Sequence, residues 1–300
     1  MTTTNAMNTP TLIGELAISD QEFARFRDLV RAHAGITLGP QKRHLLRARL
    51  GRRLRALGMT SFAQYYDYLT DPEAGSAEEI LAFINAITTH KTDFFREPHH
   101  FEYLRRRWAK PGPADATRGR RRLRLWSAAC SSGEEPYTLA MILAEAGLVP
   151  PACDTRILAS DIDTDCLAQT EHGIYTLDRV GPVPHDLLKR YFVPGPRRRG
   201  PDFRVKPELR SLLTVRRINL AEPTWPIRTL FHVIFCRNAL IYFDRAMQKT
   251  ILERLVSFLE PGGLLFLGHA ESVFGLVDGL SHLGNTIYAR TIDVRAGMLS

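Results

Sequence analysis

The sequence has no long hydrophobic segment of the kind that crosses a membrane. A spanning helix needs about 20 consecutive apolar residues, and no window of the 300-residue chain approaches this length. The N-terminal stretch MTTTNAMNTPTLIGELAISD also lacks the basic region and long apolar core of a secretory signal. We therefore expect a cytoplasmic protein with no direct membrane insertion.

Cysteine is scarce, and its spacing argues against two kinds of site. The chain holds 4 cysteines, none of them in a CxxC pair. A structural zinc site and a disulfide framework are therefore not expected, and we predict no bound metal. No Cys-His or Ser-His-Asp constellation is recognisable either, which argues against a hydrolase.

Positive charge, by contrast, is abundant. The chain has 40 lysines and arginines against 32 acidic residues, a formal charge of +8, which favours acidic partners. The 44% hydrophobic and 24% charged fractions are those of a soluble globular chain long enough for two domains. Composition alone does not choose between nucleic acid, anionic lipid and an acidic protein as the partner.

Helical periodicity dominates the first part of the chain. After a Thr/Asn-rich stretch at residues 1–15, which we expect to be a disordered tail, an all-helical domain is predicted over residues 16–87. Ser19 and Glu22 form a capping-box pattern that opens the first helix, and Gly35 ends it. Three further helices are predicted at 40–57, 61–70 and 76–87, the first with a leucine stripe at helical spacing.

The remainder of the chain alternates between strands and helices. Beyond a junction and linker at 88–122, the domain at 123–295 has apolar strands predicted at 123–130, 155–163, 212–220, 231–243 and 263–271. Helices are predicted at 134–146, 164–171 and 244–259. This alternation predicts a Rossmann-like α/β fold with a mainly parallel sheet. The stretch 173–211 is too long for a plain connection, and we expect a small inserted β-subdomain with an antiparallel hairpin.

The first strand–helix turn carries acidic residues where a phosphate site would carry none. In WSAACSSGEEPY, Glu134 and Glu135 occupy the first turn of a helix, where they repel pyrophosphate and attract a cation. S-adenosylmethionine fits this environment, because it carries an ammonium and a sulfonium group. Alternatively, the two glutamates only complement the helix dipole.

Polar residues also lie at the ends of the other predicted strands. In ASDID, Asp161 suits a pair of ribose hydroxyls, and Asp163 is expected to cap the next helix. Arg237 and Asn238 interrupt an apolar strand in FCRNALIYFD, where polar groups would face a ligand. Two further candidates are Asn219 in RINL and Tyr242. Alternatively, Tyr242 is a buried tyrosine whose hydroxyl is bonded to the backbone.

The chain resembles the chemotaxis receptor methyltransferases, the CheR family, over about residues 20–290, in the stretches TTHKTDFFREPHHF, WSAACSSGEEPY, ASDIDT, RINL, FCRNALIYFD and GLLFLGHAES. The resemblance implies a class I S-adenosylmethionine-dependent methyltransferase that forms glutamate methyl esters on chemoreceptors in sensory adaptation, leaving S-adenosylhomocysteine. It implies Arg96 and Tyr242 as the active-site pair. The family commonly has asparagine where this chain has His90, and a neutral histidine also offers one donor and one acceptor. The implied cofactor contacts are His90, Thr92, Arg96, Glu135, Asp161, Asn219, Leu220, Arg237 and Asn238.

A basic helix in the first domain is the predicted docking surface for the acidic helical cytoplasmic region of chemoreceptors. The alternatives are a solvated face and nucleic-acid binding, which we do not expect because the helix lacks interleaved aromatics. The resemblance also implies that a receptor C-terminal peptide can bind the inserted β-subdomain, near Arg197–Arg199. We expect a monomer. The basic residues are Lys42, Arg43, Arg47, Arg49, Arg52, Arg53 and Arg55.

Two other functions remain open at this level. One is S-adenosylmethionine-dependent methylation of RNA or of a small molecule. The other is a non-catalytic signalling scaffold of the same fold. The presence of both Arg96 and Tyr242 argues against the scaffold, because a non-catalytic relative is free to lose them.

Overall fold

The computed structural model describes residues 17–72, 77–109, 121–196, 200–273 and 275–292. The chain falls into two compact units, Met1–Thr88 and Thr89–Ser300. The expected N-terminal tail, most of the linker at 110–122 and the run Arg197–Arg199 lie outside the described residues. Within the described part, no helix has both the length and the apolar character that a membrane crossing requires.

The first unit is all-helical, as predicted. Ser19 and Glu22 form the capping box of the first helix, which ends at Gly35 in a left-handed conformation with φ of 70°. Leu46, Leu50 and Leu54 of the leucine stripe are buried, and the rings of Phe26 and Tyr65 stack in the core. The helices are α1 Asp20–Ala34, α2 Arg43–Leu57, α3 Phe62–Thr70 and α4 Ala77–Ile87, with a short 3-10 turn Pro40–Lys42 before α2.

Three arginines of α2 are internal ties of this unit. Arg53 forms a salt bridge with the buried carboxylate of Glu79. Arg49 donates hydrogen bonds to backbone carbonyls at the end of α4, which lack helical partners there. Arg43 donates to the carbonyl of Ile18. Part of the basic sequence run is therefore needed to hold the helices together.

The second unit is built on a seven-stranded sheet of order β6-β2-β1-β7-β8-β10-β9. The strands from β6 to β8 in this order run parallel, whereas β10 is antiparallel to both of its neighbours, so the mainly parallel Rossmann-like sheet is confirmed. The strands of the second unit, in both of its sheets, are β1 Arg121–Ala128, β2 Cys153–Asp161, β3 Ile174–Thr176, β4 Phe192–Pro194, β5 Asp202–Val205, β6 Leu213–Arg217, β7 Phe231–Cys236, β8 Leu259–Leu267, β9 Leu280–Gly284 and β10 Ile287–Arg290. Its helices are α5 Pro98–Ala109, α6 Glu134–Glu145, α7 Thr164–His172, α8 Leu177–Val180, α9 His185–Tyr191, α10 Pro207–Arg210 and α11 Arg245–Ser257.

The insertion between β2 and β6 forms a second, antiparallel sheet of order β3-β5-β4. The predicted hairpin is the pair β4–β5, in which Phe192 lies opposite Val205. The third strand, β3, pairs with β5 and has no counterpart in the sequence prediction. Its three residues are too few to show an alternating hydrophobic pattern.

The large sheet is buried on both faces, as its continuous apolar strands indicate. Neighbouring side chains of a strand point to opposite faces, and on β1 Leu125 packs into one hydrophobic cluster and Trp126 into the other. The Trp126 ring contacts Trp225 and Phe231. This double-sided core fixes the strand ends, from which the candidate site is built.

Candidate functional site

The candidate site lies at the carboxyl ends of β6, β2, β1, β7 and β8, here called the carboxyl edge. From β1 the chain proceeds to β2 and β6 on one side, and from β7 to β8 on the other, so the order of strands reverses between β1 and β7. Ligands of open α/β sheets bind at such a switch point. The predicted cofactor residues lie on the loops and strand ends of this edge or in segment 90–96.

Strained backbone is concentrated at the same place. Non-glycine residues rarely adopt positive φ, which costs about 1–3 kcal/mol each. Segment 90–97 and the turns after β1 and β7 together hold most of the positive-φ non-glycine residues of the described chain. These residues are Phe95 at 57°, Glu97 at 57°, Ala129 at 59°, Ser131 at 51° and Asn238 at 59°.

Asp161 ends β2 and is 5% exposed. Its Oδ2 accepts a hydrogen bond from the Ser131 backbone N–H at 2.8 Å, and its Oδ1 accepts one from the Asp163 N–H at 3.0 Å. Burial raises the pKa of Asp161, and these backbone donors act in the opposite direction. The carboxylate therefore ties the turn after β1 to the turn after β2.

Asp163 caps α7, as predicted, and also fixes His90. Its Oδ1 accepts from the backbone N–H groups of Asp165 and Cys166. Its Oδ2 lies 2.7 Å from Nε2 of His90. The three side chains of His90, Asp163 and Cys166 have possible ligand atoms within 4.8 Å of one another, but both oxygens of Asp163 are already engaged. His90 is thereby held beside the β2 turn that carries Asp161.

Arg237 is the central cation of the site, with a side chain only 2% exposed. Its Nε lies 3.4 Å from the carboxylate of Glu97 and 3.6 Å from that of Glu135, and its Nη2 donates to the carbonyl of Arg96 at 2.5 Å. Its Nε and Nη1 have no hydrogen-bond partner among the described residues. Buried donors of a charged group are normally paired, so the guanidinium retains capacity for an anionic ligand group.

Glu135 faces this guanidinium from the first turn of α6. Its Oε1 accepts a hydrogen bond from the Ser127 hydroxyl of β1 at 2.6 Å. Burial raises the pKa of Glu135, and the positive charge of Arg237 acts in the opposite direction. Glu135 is therefore placed to contribute negative charge at the switch point.

Glu134 has a different role, which corrects the expectation that both glutamates attract a ligand cation. Its side chain is fully buried and forms a salt bridge with Arg179 of α8, in the insertion. Arg179 also donates to the Ser132 hydroxyl at 2.7 Å, and the Tyr175 hydroxyl of β3 donates to the Ser132 carbonyl at 2.7 Å. The insertion thus holds the turn after β1.

Arg179→Ala is expected to destabilise the fold. Breaking a buried ion pair typically costs about 3–5 kcal/mol, and because Arg179 is 32% exposed we expect the lower end of that range. The control is Lys249→Ala, whose pair with Glu253 is exposed on both sides and is expected to contribute less than about 0.5 kcal/mol. Urea unfolding measures both free energies, and equal values would contradict the role of Arg179.

Segment 90–97 is anchored to the second unit by its aromatic residues. The Phe94 ring is 1% exposed and makes edge contacts with the rings of Tyr175 and Phe192. The Phe95 N–H donates to the Thr138 hydroxyl of α6 at 3.2 Å. This packing fixes the backbone on both sides of Thr92 and Arg96.

The predicted active-site residues are less constrained than the residues that surround them. Arg96 is half-buried, and Nη1 donates to the carbonyl of Lys91 at 2.5 Å. Tyr242 ends the 3-10 turn Leu240–Tyr242 and is also half-buried. Its hydroxyl has no hydrogen-bond partner within the described part of the chain, so a backbone bond to this hydroxyl is not observed. Both side chains retain donors for a substrate.

The other predicted residues are placed by their strands. Asn219 is buried just beyond β6, and its Oδ1 accepts from the Ala221 N–H at 3.0 Å. Leu220 is buried beside it. Asn238 follows Arg237 and lies 3.5 Å from the Glu97 carboxylate. Thr92 is half-buried in segment 90–97. Asp163 joins His90 to Asp161, and Arg237 and Glu97 join Glu135 to Asn238.

The sequence interpretation missed two carboxylates of this edge, Glu97 and Glu271. Glu97 lies within 4 Å of His100, Arg237 and His269. Burial lowers the pKa of His100 to about 4, so the ring next to Glu97 is neutral. Glu97 follows Arg96 directly in the stretch DFFREP, and a charge within an aromatic-rich segment is the sequence signal that marks it.

Comparison with known proteins identifies the family. Residues 21–88 match the all-α domain of CheR methyltransferases, and residues 90–289 match their SAM-binding domain. The chain is 42% identical over 282 residues to a chemotaxis protein methyltransferase of Salmonella typhimurium, covering 93% of this chain and 93% of the relative. It is 41% identical over 281 residues to chemotaxis protein methyltransferase 2 of Pseudomonas aeruginosa, covering 92% of this chain and 95% of the relative. Because both domains match in order and the identity extends over nearly the whole chain, the protein belongs to the CheR methyltransferase family and is an S-adenosylmethionine-dependent methyltransferase.

Proposed function

We propose that the protein transfers a methyl group from S-adenosylmethionine to glutamate side chains of chemoreceptors, forming methyl esters and S-adenosylhomocysteine in sensory adaptation. The observation that supports the proposal is the carboxyl edge itself, where Asp161 accepts from the turn after β1, Glu135 lies beside Arg237, and Arg237 also binds the Arg96 carbonyl of segment 90–97. The relatives are named chemotaxis protein methyltransferases. The proposal includes a monomer acting in the cytoplasm.

The residues of this edge fit S-adenosylmethionine. Asp161, at the end of β2, would accept hydrogen bonds from the ribose hydroxyls through its remaining lone pairs. The guanidinium of Arg237, whose Nη1 has no hydrogen-bond partner among the described residues, would take the carboxylate of the methionine part. The negative charge of Glu135 would offset the positive groups of the cofactor. The remaining contacts would come from His90, Thr92, Asn219, Leu220 and Asn238.

Methylation of a glutamate needs no general base. The cofactor supplies a methyl group that is activated by the sulfonium charge. A glutamate with a pKa of about 4.3 is already ionised at neutral pH, so the site has to align an oxygen with the methyl group and exclude water. Arg96 is suited to orient the carboxylate, and the Tyr242 hydroxyl to position it. The buried Phe94 would help segment 90–97 to exclude water from the site.

We further propose that the receptor docks on a subset of the basic residues of the first unit. Of the seven predicted residues, Arg43, Arg49 and Arg53 bind groups within that unit. A charge that is engaged internally contributes less to a partner. The proposed docking residues for the acidic receptor helices are therefore Lys42, Arg47, Arg52 and Arg55.

Charge reversal at two of these residues tests the docking surface. Arg52→Glu with Arg55→Glu is expected to raise the KM for a receptor fragment about 10-fold at low salt, with an unchanged Kd for S-adenosylmethionine. The difference should shrink as salt screens the charges. Arg105→Glu with Arg107→Glu, exposed on α5, is the control with the same charge change. An equal effect of both pairs would show that only net charge matters.

The inserted sheet offers a second receptor contact. Its order leaves β4 with a free edge among the described strands. An extended peptide can add a strand to such an edge, and we propose that a receptor C-terminal peptide does so. Receptor fragments with and without their C-terminal tails should then differ in KM. Equal KM values would remove this contact from the proposal.

The decisive experiment is methyl transfer with labelled cofactor. The protein is incubated with methyl-labelled S-adenosylmethionine and receptor cytoplasmic fragments, and a fragment with its acceptor glutamates replaced by alanine serves as the control. We expect label on the intact fragment only, released by mild base as expected for an ester. Label on RNA added in parallel would support the alternative substrate. No transfer by a protein that binds the cofactor would support the scaffold.

A further inference from the structure

Glu271, in the loop after β8, makes an unusual set of contacts. Its Oε2 accepts hydrogen bonds from the backbone N–H groups of Gly268 at 2.7 Å and Asn238 at 2.8 Å. Its Oε1 accepts from the Leu240 N–H at 2.7 Å. The side chain is thus surrounded by backbone donors of two strand ends, one of which carries Asn238 and Tyr242.

Burial makes this arrangement costly unless every contact is kept. Glu271 is 5% exposed. Burial raises the pKa of Glu271, and the hydrogen bonds from the backbone N–H groups act in the opposite direction. Such donors stabilise a buried carboxylate without a cation. The contacts are therefore a built feature of the fold, since an apolar residue would leave the same N–H groups unpaired.

The strand ends that Glu271 joins are in close contact at Gly268 and Asn238. A Cβ added to Gly268 would lie 2.4 Å from Asn238 Nδ2 and 2.8 Å from its backbone nitrogen. Asn238 itself has φ of 59°, a conformation that side-chain-bearing residues seldom adopt. The hydrogen bond from the Asn238 N–H to Glu271 holds the Asn238 backbone in this place.

We propose that Glu271 is a positioning residue for methyl transfer. It holds the turn 238–242 against the end of β8, so that Asn238 stays on the cofactor side and Tyr242 on the substrate side of the site. Glu271 itself touches neither cofactor nor substrate and acts through Tyr242. This inference rests on the proposed function.

Glu271→Gln separates the contact with Gly268 and Asn238 from the contact with Leu240. The amide retains one acceptor oxygen, which is expected to stay with the two donors from Gly268 and Asn238. The NH₂ group then faces the Leu240 N–H, and two donors repel each other. The turn Leu240–Tyr242 is released while Asn238 remains in place. A small misplacement of a positioned group can cost about 100-fold in rate.

The test is a double-mutant cycle with Tyr242→Phe. Glu271→Gln is expected to lower kcat for the receptor fragment about 30- to 100-fold and to change the Kd for S-adenosylmethionine by less than about 3-fold. In a Tyr242→Phe background the same change should have little further effect, because groups that act as one unit are not additive. The control is Glu253→Gln, on the exposed face of α11.

Gly268→Ala is the second variant, in case Glu271→Gln does not fold. It keeps the carboxylate and displaces Asn238, just beyond β7, from the other side. We expect a folded protein in which kcat falls similarly and the affinity for S-adenosylmethionine falls as well. Wild-type activity in either folded variant, or additive effects with Tyr242→Phe, would overturn the inference. A wild-type protein that does not methylate the receptor would instead overturn the proposed function.

Discussion

Arg96→Ala is expected to lower kcat for receptor methylation about 100- to 1,000-fold, as is typical for loss of a group that orients charge at the reacting centre. The fold should be unchanged, because within the described residues the Arg96 side chain donates only to the carbonyl of Lys91. The backbone carbonyl that binds Arg237 is present in alanine as well. Steady-state kinetics with labelled cofactor measure kcat, and thermal unfolding verifies the fold.

Arg96→Lys is the matched variant for this prediction. Lysine keeps the charge but loses the planar fork that binds both oxygens of a carboxylate. We therefore expect an intermediate kcat, between those of the wild type and of the alanine variant. If a folded Arg96→Ala protein transfers methyl groups at the wild-type rate, Arg96 does not belong to the active site.

Asp161→Ala is expected to weaken S-adenosylmethionine binding about 100- to 1,000-fold. Hydrogen bonds to a charged group contribute about 1.5–3 kcal/mol each, and about 1.4 kcal/mol corresponds to a tenfold change in Kd. The alanine also releases the Ser131 and Asp163 N–H groups that order the two turns. Isothermal titration calorimetry with S-adenosylhomocysteine measures the effect without catalysis.

Asp165→Ala is the control for the cofactor site. Asp165 lies in the first turn of α7, close to Asp161 in sequence, but its side chain is exposed. We expect the Kd of the Asp165→Ala variant for S-adenosylhomocysteine to remain within about 2-fold of the wild-type value, since surface substitutions have small effects. Equal weakening by the two variants would mean that the negative charge of the region, and not the Asp161 contact, binds the cofactor.

The main architecture was accessible from the sequence because it depends on local patterns. Continuous apolar strands followed by helices predicted the parallel sheet, and Asp163 was identified as a cap from its position before α7. Asp161 was found because acidic side chains at the end of the second strand suit ribose hydroxyls. His90, Thr92 and Leu220 came from the family resemblance alone, since nothing in their local pattern sets them apart.

The remaining contacts depend on residues that are distant in sequence. Arg179 is separated from Glu134 by 45 positions, and Glu271 from Asn238 by 33. Their pairing follows from how the sheet and insertion assemble, which no periodicity encodes. The hairpin β9–β10 was missed because β9 is mostly exposed and shows no apolar run, and because β10 has only four residues. Helix α5 has no stated bounds in the sequence prediction because its residues lie in the stretch that was interpreted as junction and linker.

The salt bridge between Arg179 and Glu134 limits how the protein can be recombined with its relatives. The insertion begins and ends in the second unit like an exchangeable cassette, and grafting it from another methyltransferase is an obvious way to redirect the enzyme. Its Arg179 and Tyr175, however, complete the turn after β1. In a chimera that lacks groups equivalent to these two, the turn after β1 would lose the contacts that hold it, whatever the new insertion binds. Successful grafts must therefore exchange both sides of this contact together.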